Sequence, residues 1–175
     1  SDDMNQYCVI RHDVEFSVDR ALNLALFESN SINIHTSYLF QIRNNCYNLA
    51  SDVNLKKIHK INDLGHKIGL HVHLGLFNES NSTAEYILNE VRLFESITGL
   101  KVDRFSYHRP KSEILERYLE IPNLINCYGK KFFHHYDIPH QDLDVKYFTD
   151  SRHQWHHGHP LQDHHNKVQL LTHPY

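Results

Sequence analysis

The stretch His66–Phe77, "HKIGLHVHLGLF", sets two histidines into an otherwise apolar run. Read as a strand, its side chains alternate between two faces. Leu70, Val72, Leu74 and Leu76 then share one face, and Gly69, His71, His73 and Gly75 share the other. Two imidazoles flanked by glycines leave space on that face, and neutral imidazole is a common metal ligand. One packed and one exposed histidine on an edge strand is the plainer alternative from this stretch alone.

Outward from it, strand-like and helix-like segments alternate. "QYCVIRHDVEF" (6–16) reads as a strand, and "SVDRALNLALFES" (17–29) as a helix with Ser17 at its N-cap. "IHTSYLFQI" (34–42) is a second strand, followed by a helix over 51–65 that turns Leu55, Ile58 and Leu64 inward and stops at Gly65. After the histidine stretch comes a helix over 82–99, opened by a capping box from Ser82 to Glu85, and then the strand "VDRFSYH" (102–108). Such alternation implies parallel strands joined by crossover helices, an α/β chain closed as a barrel or left as an open doubly wound sheet. No glycine-rich loop follows the first strand, which counts against the nucleotide-binding version. Beyond Pro110, "LINCYGKKFF" (124–133), "VKYFTD" (145–150) and "KVQLLTH" (167–173) are short strand candidates between histidine-rich loops. With no internal repeat or linker, one domain over 1–175 is expected.

Composition narrows the class. A net charge of -3 gives no electrostatic case for nucleic acid or an anionic membrane. The 17 histidines make that charge sensitive to pH. Cys8, Cys46 and Cys127 form no C-x-x-C pair, which argues against a disulfide framework or a zinc knuckle and fits a reducing compartment. No apolar run is long enough to span a membrane, and "SDDMNQY" lacks the pattern of a signal peptide, so a cytoplasmic location is expected.

The first strand repeats the spacing of the histidine pair. Arg11, Asp13 and Glu15 share a face, with His12 and Val14 on the other. Asp13 and Glu15 lie toward the carboxyl end of their strand, where active sites of parallel α/β folds gather. One carboxylate and two imidazoles are a common ligand set for a catalytic divalent metal, and the second carboxylate is then free to act as a base. The plain alternative is an ion pair of Asp13 or Glu15 with Arg11 or Arg20. His12 is expected to be a packed or bonded histidine and His66 to make a turn hydrogen bond, while Tyr38 and Phe40 fit the core. Nine histidines between His134 and His165 keep no regular ligand spacing and read as a polar loop, touching substrate through Trp155 or His156.

"RHDVEFSVDRALNLALFE" (11–28), "GHKIGLHVH" (65–73), "FSYHRP" (105–110) and "LLTHPY" (170–175) stand in the order and approximate spacing of the polysaccharide deacetylase family. This is the NodB-homology domain, carbohydrate esterase family four. The resemblance implies a distorted, incomplete (β/α) barrel of about seven strands. It also implies a metal-dependent carbohydrate deacetylase that removes an N-acyl group, acetyl or formyl, from a sugar or glycan precursor. The implied cofactor is a divalent metal, zinc foremost, with cobalt, nickel or manganese as alternatives. A cytoplasmic step of surface-polysaccharide biosynthesis would suit it.

Carried over by position, Asp13 is the general base, Glu15 the first metal ligand and His71 the first metal histidine. Arg109, before Pro110, orients the base, and His173 is the general acid. Asp150 and Trp155 look like the family's aspartate and tryptophan near that histidine, and His108 and Pro110 complete the substrate side. Two positions depart from the pattern. Glu15 stands where aspartate is usual, and Gly75 stands where the second metal histidine belongs. The third ligand is then expected to be His73, which shares a face with His71, with His108 from the neighbouring strand as the alternative. These departures keep open a catalytically inactive domain that binds glycan or metal. A metal hydrolase of the amidohydrolase kind is less suited, since its H-x-H pair sits on the first strand.

Overall fold

A computed structural model of the chain describes residues 6–76, 82–133 and 145–175. Phe77, and His134, His135 and His140 of the histidine-rich segment, lie outside the described residues. The elements run β1 (Tyr7–Val14), α1 (Val18–Ser31), β2 (Ser37–Phe40), α2 (Asp52–Asp63), β3 (Lys67–His73), α3 (Thr83–Thr98), β4 (Arg104–His108), α4 (Ser112–Leu115), β5 (Ile125–Asn126), β6 (Val145–Thr149) and β7 (Lys167–Thr172). The strands form one sheet in the order β5-β4-β3-β2-β1-β7-β6, and every pairing is parallel. This is the distorted, incomplete (β/α) barrel that the family resemblance implies.

Local chemistry places these elements. The hydroxyls of Ser17, Ser51 and Ser82 cap α1, α2 and α3 by accepting from the N–H groups of Arg20, Asn54 and Glu85. Gly99 closes α3 with a φ of 72°, a conformation that suits glycine. "LINCYGKKFF" contributes only Ile125–Asn126 to the sheet, because Gly129 N bonds back to Asn126 O and turns the chain.

The outer face of the sheet packs on the helices through Val14, Tyr38, Phe40, Leu70, Val72 and Phe105, all buried. α1 meets that face with Val18, Ala21, Ala25 and, on the same stripe, Glu28. The Glu28 carboxylate accepts from His12 Nε2 at 2.9 Å, Thr36 Oγ1 at 2.8 Å and the Tyr38 hydroxyl at 2.6 Å. His12 Nδ1 meets Thr172 Oγ1 at 2.6 Å, so the ring ties β1 to β7. His66 accepts from Thr36 N at 3.2 Å and donates to Ala25 O at 3.0 Å.

Burial alone would raise the Glu28 carboxyl, but hydrogen bonds from His12, Tyr38 and Thr36 and the charge of His12 outweigh it, and the group sits below its ordinary value of 4.5. A carboxyl depressed by folding gives stability that is present above its unfolded value and lost as pH falls through the folded one. Glu28→Gln is therefore expected to cost about 1–3 kcal/mol at pH 7. In denaturant unfolding series, the gap to the parent should narrow as the pH drops below 4.5. A gap that stays constant down to the acid limit would rule out the ionised form as the source.

Candidate active site

The inner face of the sheet carries the polar groups, at the carboxyl ends of the strands. Parallel register sets His71 beside Ser106 and His73 beside His108. Glu15 follows the end of β1 and reaches over to them. Its Oε1 lies 3.1 Å from His71 Nε2, 2.9 Å from His108 Nδ1 and 3.8 Å from His173 Nε2. Ligand atoms of Glu15, His71 and His108 all fall within 4.8 Å of one another. Among the described residues no other group of this kind occurs.

The partners of the two imidazoles decide what the cluster can hold. Ser106 Oγ donates to Asp13 Oδ1 at 3.1 Å and so accepts from His71 Nδ1 at 2.7 Å. That puts the His71 proton on Nδ1 and leaves the Nε2 lone pair facing Glu15. Asn44 donates to Gln41 Oε1 at 2.7 Å, which turns the Gln41 amide nitrogen toward His108 Nδ1, 2.9 Å away. With both imidazoles neutral, Glu15 Oε1, His71 Nε2 and His108 Nδ1 carry no proton of their own and form the donor set of a divalent cation, which would displace the Gln41 N–H from His108 Nδ1. With the imidazoles protonated, the same contacts are hydrogen bonds to the carboxylate. Burial works against an ionised Glu15, but those bonds and charges outweigh it and hold the carboxyl far below its ordinary value.

His73 does not join the cluster. It is exposed, its ring lies tilted with its centre 5.3 Å from that of His108, and its Nδ1 accepts from Gly75 N at 3.3 Å. It shares the face of His71 but lies two residues further along, about 6.6 Å at strand rise, where the chain leaves the sheet for a single 3-10 turn over Leu74–Leu76. Gly75 leaves room for this packing, since a Cβ there would come within 2.4 Å of the His73 ring.

Asp13 is 1% exposed, and the guanidinium beside it is that of Arg11, not Arg109. Arg11 Nη2 lies 3.7 Å from Asp13 Oδ2, and its Cζ sits 4.4 Å above the Tyr128 ring. None of its guanidinium nitrogens has a hydrogen-bond partner. Burial disfavours the cation, but Asp13 above all offsets this and keeps Arg11 charged. Arg109 is exposed and lines the cleft, next to Pro110.

His173 follows β7. Its Nδ1 bonds Asp150 Oδ1 at 2.7 Å and its backbone N–H meets both Asp150 oxygens at 3.1 Å. Burial would lower this imidazole, but the bond to Asp150 and the charges of Asp13, Asp150 and Glu15 raise it above its ordinary value. With Nδ1 held by Asp150, Nε2 is the nitrogen left on the side of Glu15, 3.8 Å from its Oε1. The cleft, of about 580 Å³, is lined by Asp13, Glu15, His71 and His173 with Tyr128 and Tyr175. Trp155 lies outside it, its ring edge-on to His159 at 5.6 Å. Sequence reading missed Ser106 and Gln41, which hold the two imidazoles.

No protein-family model matches the sequence, and no curated protein sequence matches it. Solved structures do match in fold. The Xyl-CE4 domain of a multidomain xylanase, from the hindgut metagenome of Trinervitermes trinervoides, superposes with a TM-score of 0.52 at 11% identity, covering 97% of this chain and 74% of that one. A family 4 acetyl xylan esterase from Clostridium thermocellum, in complex with a cobalt ion, gives 0.50 at 12% identity over 96% and 74%. A CE4 family pseudoenzyme from Bacillus anthracis gives 0.50 at 13% identity, and there the chain spans only 55% of the other's length. The fold is therefore that of the CE4 deacetylases and esterases. No helix among the described residues is long and apolar enough to cross a membrane.

Proposed function

We propose that this chain is a metal-dependent hydrolase that removes an N-acyl group, acetyl or formyl, from a sugar or glycan precursor. The observation that carries this reading is the convergence of Glu15, His71 and His108 beside Asp13, with the His173–Asp150 pair facing the same cleft. A divalent ion held by those three residues, zinc in the first instance, would polarise the acyl carbonyl and acidify a water. Asp13 takes a proton from the attacking water, and Arg11 beneath it holds the carboxylate in place. As the C–N bond breaks, His173 gives its Nε2 proton to the leaving amine. Asp150 keeps the His173 ring turned for that transfer.

The test is elemental analysis of untagged protein, followed by a screen of N-acetyl and N-formyl sugars for released acid. About one equivalent of metal with turnover supports the reading. Full metal without turnover on any acyl sugar selects the inactive, glycan- or metal-binding alternative, which Gly75 at the position of the family's second metal histidine favours. Because Ser106 fixes the His71 tautomer, Ser106→Ala is expected to weaken metal binding about 10–100-fold in chelator competition. Unchanged affinity would remove Ser106 from the site.

A further inference from the structure

Beside the active-site cleft lies a second cavity of about 750 Å³, which shares Tyr107, Arg109 and Pro110 with it. Its charge is one-sided. Arg109, Lys111 and Arg117 line it, and no Asp or Glu does among the described residues. Within the described residues none of these three cations makes an ion pair. The N-terminus of α3, 16 residues long, opens into the same space at Thr83 and Ala84. Backbone N–H groups of a first turn have no acceptor within their helix and attract anions. Glu85, the acidic residue of that turn, is exposed and does not line the cavity.

We infer that this cavity is a subsite for an oxyanion, a phosphate or carboxylate carried by the acylated sugar, so that the substrate is an anionic sugar and not a neutral one. The inference rests on the deacylase reading for the position of the acyl group, and on the cavity for the anion. Arg109, Lys111 and Arg117 supply charge-assisted donors, and the α3 terminus supplies neutral ones.

Calorimetric titration of the metal-loaded protein tests it, with N-acetylglucosamine, its 6-phosphate, the corresponding N-acetylated uronic acid and inorganic phosphate as probes. At least one anionic sugar should bind about tenfold tighter than the neutral one, the size of one hydrogen bond to a charged group. The preferred anion tells phosphate from carboxylate. In the Lys111→Gln/Arg117→Gln double variant, two exposed positions, that advantage should disappear with metal content unchanged. Equal binding of all three sugars overturns the inference. So does an advantage that survives in the double variant, which would put the anion on the metal centre. Cavity-dependent anion binding with no hydrolysis of any probe would uphold the subsite and remove the deacylase. Hydrolysis of neutral and anionic sugars at equal kcat/KM would do the reverse.

Discussion

Asp13→Asn is expected to lower turnover about 10²–10⁴-fold, the usual cost of losing a general base. It is also expected to destabilise the fold, and the two effects have different causes. Asp13 and Arg11 are each 1% exposed and face one another at 3.7 Å. Neutralising Asp13 leaves a buried cation without its counter-charge, and breaking such a pair costs about 3–5 kcal/mol. A drop in activity alone would therefore not separate chemistry from unfolding. The double variant Arg11→Met/Asp13→Asn does, because it removes both charges and keeps an apolar stem over Tyr128. Chemical denaturation should show most of the lost stability restored in the double variant, while turnover stays at the level of Asp13→Asn. Recovery of turnover together with stability would show that Asp13 is needed only to neutralise Arg11.

That pair is legible in the sequence itself. Arg11 and Asp13 stand two apart on a strand, and alternation puts them on one face. The same rule places His71 with His73, and Asp13 with Glu15. Helix bounds are legible too, from Ser17, Ser51, Ser82 and Gly99, because caps are local chemistry. What alternation does not contain is the level of one strand against its neighbour. β3 and β4 are separated by α3, so nothing local in either sets His71 opposite Ser106. The two hydrogen bonds of Ser106 arise from that register, and a serine inside "FSYH" carries no mark of it. Nor does periodicity say that β7 lies beside β1, which is what brings His173 and Asp150 to Glu15; only the family resemblance puts His173 in the site. Arg109 illustrates the limit of carrying a role by motif. It lines the cleft as its position implies, but the buried cation next to the base comes from β1 itself.

His108→Ala should abolish stoichiometric metal binding, whereas His73→Ala should leave it close to that of the parent. Both histidines end their strands in register with one another, and strand alternation in the sequence favours His73, which shares a face with His71. Geometry favours His108. His108 Nδ1 is 2.9 Å from Glu15 Oε1 and 3.3 Å from His71 Nε2, whereas His73 does not join this group of ligand atoms. Gln41, held by Asn44, donates to the same His108 Nδ1, a bond that a cation at this nitrogen would displace. Loss of a ligand should exceed the about 10–100-fold penalty of losing an outer partner such as Ser106. Chelator competition on the two single variants, run beside His71→Ala, decides it. Metal lost in His71→Ala and His108→Ala but kept in His73→Ala assigns the third ligand to β4. Metal lost in His73→Ala and kept in His108→Ala would return it to the H-x-H pair, and Gly75 would then have to yield the His73 ring before the ion could bind.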